Sequence, residues 1–369
     1  MNVLYIADPN SIHDLKWVNQ LSQMGVSAFW LPRTQHYKAN HSLIQIDTIR
    51  DFSIVRFPIT IWQVIKLKRL LIKYKIDIIH IMYAEPNALW CNFRGFLSVP
   101  MFITCRGTDV LKTIPETFKK HTLINYLVAP LYKRAFLKAD AITATSSKQI
   151  LEVKKFTTNV IQVELIRTGV DFKSIQQPIS EHSQTAQLIP YLLFPRYIKP
   201  LYNHEFALNA IALLPDTIKQ KYKMVFVGKD AGDADYQKRL LAQMAEMPNV
   251  DFVFLHKQSQ AAIIELYKKA SAVIMTPLSD GSPVSALEAY ACETPVILPP
   301  LPYDEDLFDS SFHHFPYWQA ETLAETIVKV LAMGVKPYVG EHKRTLIDVK
   351  ANMNKVYHQY QKILKLKHN

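Results

Sequence analysis

Short β-rich runs and helical stretches take turns along this chain of 369 residues, and the alternation runs twice with one break between. Residues 2–7 form an apolar run that ends at Asp8-Pro9-Asn10-Ser11. A helical pattern follows, with Trp17, Leu21 and Met24 on one stripe and Gly25 closing it. Residues 27–31 read as the next strand, 61–74 as a basic helix, and 76–82 and 101–105 as strands; 141–145 and 160–166 continue the series. Residues 174–190 are polar, carry two prolines and lack periodicity, so they read as an interdomain linker. The series then restarts. Strands are expected at 191–194, 224–227, 250–254, 272–275 and 295–298, and helices at 205–214, 235–247, 261–270, 283–292 and 322–333. Alternation of this kind implies parallel sheets with helices on both faces. The expected architecture is α/β, with two doubly wound domains at 1–180 and 186–349 and a last helix within 350–369. In open parallel sheets ligands bind beyond the carboxyl ends of the strands. Two such domains facing each other would therefore make a cleft lined by strand-end loops. The unusual polar clusters fall in such loops, at 8–13, 83–87, 106–109, 195–204, 228–233 and 279–284.

Composition narrows the class. Three scattered cysteines, Cys91, Cys105 and Cys292, show no CxxC spacing, so neither a disulfide framework nor a zinc site is suggested and a reducing cytoplasm fits. The first residues carry no signal-peptide pattern, and no run of about 18 apolar residues would span a membrane. Of the net charge of +11, +10 lies in residues 1–185. A basic half can meet nucleic acid, anionic lipid or a phosphorylated substrate, or be a solvated face with no partner.

The segment 276–297 (TPLSDGSPVSALEAYACETPVI) holds Asp280 and Glu288 eight positions apart. Gly281-Ser282-Pro283 precedes a helix that must begin near Pro283 or Val284, since proline suits a first helical turn. The free N–H groups of that turn and the helix dipole suit a phosphate or sugar hydroxyls. Glu288 lies one to two turns further on among small apolar residues, where a carboxylate needs partners. By spacing alone, an Asp N-cap with a Glu salt-bridged in the helix fits equally well.

The run SDGSPVSALEAYACETPVI resembles the E-x7-E signature of retaining, family 4 type glycosyltransferases with the GT-B fold, two Rossmann-like domains facing across a cleft. Asp280 stands at its first acidic position and Glu288 at its second. The resemblance implies that Asp280 contacts donor-sugar hydroxyls and that Glu288 binds the nucleotide ribose. It also implies that the backbone of Gly281, Ser282, Pro283 and Val284 meets sugar and diphosphate. Phe194-Pro195-Arg196 followed by Lys199 is similar to the family's strand-end arginine and lysine, which neutralise that diphosphate. Physics agrees: a leaving diphosphate gains charge as the glycosidic bond breaks, and fixed cations stabilise it. Residues 253–275 resemble the base-recognition loop and its helix, with His256 and Lys257 near the base; the strand ending at Gly228 resembles one beside the nucleotide. Residues 7–17 resemble the first loop, which faces acceptor and donor phosphate, so Asn10, Ser11 and His13 become acceptor-side candidates, with Pro9, Asn10 and Ser11 where relatives often have glycines. Arg106 stands where a histidine is common and could reach a phosphate. Asp109 is a candidate sugar or acceptor contact, or else a helix N-cap. The helix at 350–366 would resemble the C-terminal helix that crosses back to the first domain.

The resemblance implies a hexosyltransferase with a nucleotide-sugar co-substrate and no cofactor, and no metal is expected. The acceptor would be a glycan or lipid-linked molecule, in cell-surface polysaccharide or glycolipid synthesis. Residues 118–138 and 65–75 mix large apolar side chains with cations. They suit either ordinary packing or an anionic membrane surface, which would place the enzyme in the cytoplasm at the inner face of the membrane. A sugar-nucleotide epimerase on the same fold and a non-catalytic glycan binder are alternatives. A nucleic-acid binder is another, although no helix-turn-helix, zinc or aromatic recognition motif occurs and no nucleic acid is expected.

Overall fold

The computed structural model describes residues 1–8, 11–31, 44–45, 57–119, 123–157, 162–178, 190–229 and 232–368. The chain divides into two compact units, Met1–Gly169 with Val349–Asn369, and Val170–Asp348.

In the first unit the described strands are β1 (Asn2–Ile6), β2 (Ser27–Trp30), β3 (Ile44–Gln45), β4 (Ile78–Ile81), β5 (Met101–Cys105), β6 (Ala141–Ala144) and β7 (Val163–Leu165). They form one parallel sheet in the order β3-β2-β1-β4-β5-β6-β7. The central strands β1, β4 and β5 are buried almost throughout, as the unbroken apolar runs of a sheet covered on both faces require. One face carries the helices Phe57–Lys73, Arg94–Leu97, Leu123–Lys138 and Ser147–Thr157 on a core that includes Leu67, Trp90, Ile103 and Phe136. The other carries Ile12–Gln23 and the last helix, Val349–His368. In that last helix Val349, Met353, Val356, Tyr360 and Ile363 recur at helical spacing and are buried against Val3, Tyr5, Trp17 and Leu21.

The second unit repeats the plan with β8 (Tyr191–Phe194), β9 (Lys223–Val227), β10 (Phe252–Leu255), β11 (Ala272–Ile274), β12 (Val296–Leu298) and β13 (His313–His314), parallel, in the order β10-β9-β8-β11-β12-β13. Strand order therefore reverses between β1 and β4 in one unit and between β8 and β11 in the other. A crevice for ligands opens at such a reversal, beyond the carboxyl ends of the strands. Arg196 follows β8 and Asp280 follows β11, so both lie at the second unit's reversal.

The first unit ends at Gly169 rather than near residue 180. Val170 N–H donates to Ile347 O at 2.6 Å and pairs with Asp348, and a helix runs over Phe172–Gln176, where 174–190 was expected to be linker. Asp171 caps that helix by accepting from Lys173 and Ser174 N–H, a signal hidden in a polar stretch. Residues 179–189 of the expected linker lie outside the described residues. Gly169 has φ +81°, and a Cβ there would lie 2.6 Å from the Val349 Cα, so the chain passes itself where only glycine fits.

Candidate functional site

The N–H-rich end of the helix Val284–Ala291 and the end of β8 meet through one arginine. Arg196 donates from Nη1 to Ser285 Oγ at 2.8 Å, pairs through Nη2 with Asp280 Oδ2 at 3.4 Å, and lies 4.2 Å over the Tyr202 ring. The two charged side chains keep 21% and 15% of their surface exposed, so the pair is sheltered while one edge stays reachable. Burial works against the Arg196 charge, but Asp280 and Tyr202 more than offset it and its pKa lies above the usual value. Burial also pushes the Asp280 carboxyl up, only partly countered by Arg196 and the N–H groups of Gly281 and Ser282. Asp280 Oδ1 accepts from Gly281 N–H at 2.8 Å. Asp280 does not cap the helix: Pro283 holds the N-cap position, with no side-chain hydrogen bond there. Anchoring bonds join this loop to the one after β8, with Thr276 Oγ1 donating to Tyr202 O at 3.0 Å and Leu278 N–H to Leu201 O at 2.9 Å.

Two buried hydroxyls near the pair, Ser282 Oγ and Tyr303 Oη, have no hydrogen-bond partner among the described residues, and Asp280 Oδ2 has only its ion pair with Arg196. Burial raises the Tyr303 phenol, and Asp280 raises it further. A cation, hydroxyls and uncapped helix N–H groups at one strand end suit an anionic, hydroxylated ligand.

The remaining candidates of the second unit fall around this cluster. Glu288 is buried and accepts from Gln260 Nε2 at 3.0 Å; Val284 is buried at the helix start. Lys199 is exposed at the N-cap of the turn Pro200–Tyr202. Gly228, at φ +96°, donates its N–H to Leu255 O, and a Cβ would meet Tyr197 Cδ1 at 2.7 Å. His256 is exposed, and its carbonyl accepts from Gln258 Nε2. Sequence reasoning missed Tyr202, Ser285, Gln260 and Tyr303. Ser285 stood inside the recognised motif, Tyr202 in the loop 195–204 and Gln260 in the segment 253–275, whereas Tyr303 has no local signal.

Behind Arg196 sits His204, 3% exposed, facing the Arg196 carbonyl through Nε2 at 3.1 Å. A carbonyl only accepts, so Nε2 carries the proton and the ring is neutral. Burial lowers its pKa from 6.5 to about 4. The unfolded chain therefore takes up a proton that the folded one refuses. This stability is whole above pH 6.5 and is lost as pH falls towards 4, by on the order of 3 kcal/mol in full. Thermal melts at pH 7.5 and 5 should show a larger acid loss in the parent than in His204→Gln; equal losses would remove His204 from this account.

In the first unit the candidates separate. Asn10 lies outside the described residues. Ser11 caps the helix Ile12–Gln23, accepting from Asp14 N–H at 3.3 Å, and His13 is exposed on its first turn. Arg106 is sheltered: it pairs with Asp14 at 3.1 Å, stacks 4.0 Å over Trp17, and donates to Met82 O and Thr168 Oγ1. Burial raises Asp14 to about 6 despite Arg106. Asp109 is wholly buried and does not cap a helix, since Thr108 holds the cap position. Its oxygens accept from the N–H groups of Ala84 at 2.9 Å, Gly107 at 2.8 Å, Val110 at 2.9 Å and Arg106 at 3.1 Å. The carboxylate ties together the loops that follow β4 and β5.

Residues 178–345 match the family model described as glycosyl transferases group 1, and residues 2–146 match that described as glycosyl transferase 4-like. No curated protein matches the chain by sequence. Solved structures share the fold over nearly the whole length. Sucrose-phosphate synthase from Thermosynechococcus elongatus is 17% identical with a TM-score of 0.75, covering 99% of this chain and 100% of that one. A glycosyltransferase from Rickettsia africae is 14% identical with a TM-score of 0.77, covering 99% and 98%. HepE of Anabaena, in complex with UDP, is 15% identical with a TM-score of 0.66, covering 99% and 97%. With glycosyl transferase models matching both halves and this fold shared end to end, the protein is a glycosyltransferase enzyme of the GT-B type.

Proposed function

We propose that this enzyme moves a hexose from a nucleotide-diphosphate sugar to a glycan or lipid-linked acceptor, with retained anomeric configuration, in the synthesis of cell-surface polysaccharide or glycolipid. The second unit takes the donor and the first the acceptor. The observation that carries this reading is the Arg196–Asp280–Ser285 cluster beside an uncapped helix N-terminus. Arg196 and Lys199 neutralise the diphosphate, Asp280 and Gly281–Val284 meet sugar and phosphate, and Glu288 holds the ribose. As the bond from the anomeric carbon to the phosphate oxygen breaks, its electron pair stays on that oxygen. The rising charge falls beside the fixed Arg196 guanidinium. The acceptor hydroxyl oxygen bonds the anomeric carbon, and its proton passes to the leaving phosphate oxygen. No metal takes part in this reading. The UDP complex of the similarly folded HepE makes uracil the first base to try.

Calorimetry against UDP, GDP, ADP and their sugars tests the assignment. One nucleotide should bind, with activity surviving a chelator, and Glu288→Ala should weaken it by about tenfold or more, the loss of a charge-assisted hydrogen bond. Equal affinity in the parent and Glu288→Ala would remove Glu288 from the ribose site.

A further inference from the structure

The helix Leu123–Lys138 is apolar on the wrong side. Its inner face, with Tyr132, Ala135 and Phe136, enters the first unit's core. Its outer face should then be polar, as on an ordinary surface helix. Instead Leu123, Tyr126, Leu127 and Leu137 recur there at helical spacing, with Leu123 78% and Tyr126 80% exposed. Arg134 lies on the same stripe, and Lys133 and Lys138 flank it. The same layer continues the pattern. Phe57–Lys73 packs on the same side of the sheet and exposes Trp62 at 71% together with Ile61 and Ile72, and Phe96 is exposed beside Lys68. These two helices hold seven Lys and Arg and not one Asp or Glu.

We propose that this face of the first unit docks on an anionic lipid surface, with its leucine, tyrosine and tryptophan side chains at the boundary between headgroups and acyl chains. Charge complementarity selects that occupant. Cations of one sign spread over two helices meet a sheet of anionic headgroups, and the interleaved aromatic and aliphatic groups gain by leaving water. Nucleic acid would leave the leucines wet. Among the described residues no helix is long and apolar enough to cross a membrane, so the face lies on the bilayer. The inference deepens the reading of a lipid-linked acceptor and is tested apart from it.

Sedimentation with vesicles of phosphatidylcholine, alone or mixed with phosphatidylglycerol, is the test. The parent should pellet with the anionic vesicles at low salt and be released by high salt. Leu123→Ser/Tyr126→Ser/Leu127→Ser should cut the bound fraction about tenfold or more, and Lys133→Glu/Arg134→Glu should do so for anionic vesicles. The triple variant changes exposed positions, and the charge-reversal variant one exposed and one half-buried position, so both should keep the parent's melting temperature and nucleotide affinity. A parent that stays in the supernatant overturns the proposal, and so does a triple variant that binds like the parent. A parent dimer that the triple variant turns into a monomer also overturns it, since the face then covers a second copy. Vesicle binding without nucleotide binding would uphold the docking face and sink the transfer reading instead.

Discussion

Arg196→Ala is expected to lower kcat by about a hundred- to a thousandfold, the loss seen when one fixed charge or donor aimed at a developing anion is removed. The substitution takes away three things at once: the hydrogen bond to Ser285, the pairing with Asp280 and the stacking on Tyr202. The first two also set the loop's shape, so part of the loss comes from a disordered cradle. Arg196→Lys separates the contributions. It keeps the charge but cannot span Ser285 and Asp280 with one planar fork, so a smaller loss, about tenfold, is expected. The fold should survive in both, because the Asp280 carboxyl, already pushed up by burial, can take a proton when its cation is gone. Steady-state kinetics with the donor identified by calorimetry, alongside melting curves, measures this. A folded Arg196→Ala enzyme within about twofold of the parent in both kcat and KM would end the assignment of Arg196 to the leaving phosphate.

The largest stability effect should come from Asp109, outside the second unit altogether. Asp109→Ala strips the buried Ala84 N–H and the half-buried Arg106 and Gly107 N–H groups of their acceptor, while Val110 N–H retains the Gly107 carbonyl at 3.2 Å. Each stranded donor costs about 1–3 kcal/mol, and local relaxation recovers part of it, so a net loss on the order of 3–5 kcal/mol is expected. Asp109→Asn keeps the shape yet turns an amide NH2 towards N–H donors, so it should recover less than half of that. Urea unfolding followed by a first-unit tryptophan such as Trp17 reads the effect. A loss below about 1 kcal/mol for Asp109→Ala would mean that water replaces the carboxylate and that the loops hold themselves.

Asp109 also marks where sequence reading stops. Its position after a strand, in Arg106-Gly107-Thr108-Asp109, suggested a ligand contact or a cap. Whether a carboxylate faces outwards or folds back on its own loop depends on which N–H groups the neighbouring strand end presents. Ala84 lies 25 residues away and gave no hint. The strands were legible because buried parallel strands are short apolar runs whose pattern is local. The Asp280–Glu288 segment was legible because a helix start, its proline and its acidic residues sit within nine positions. Gln260 on Glu288 was not, since it arises from a crossing of separate elements, and neither was Tyr202 under Arg196, since the path of one irregular loop decides which of its side chains stack. The helix Phe172–Gln176 was missed because its stripe is too short for periodicity, and only its Asp171 cap betrays it.

The order in which this chain leaves the ribosome does not match the order of its domains. Everything the second unit needs has been synthesised once residue 348 is out. The first unit, started earliest, still lacks Val349, Met353, Val356, Tyr360 and Ile363, each worth roughly 1.5–3 kcal/mol when buried. Until they arrive, the Trp17 side of its sheet stays open to water and to aggregation. Of the two units, the one begun earlier is thus finished later, and a nascent chain released before residue 349 would carry one completed unit and one sticky unit.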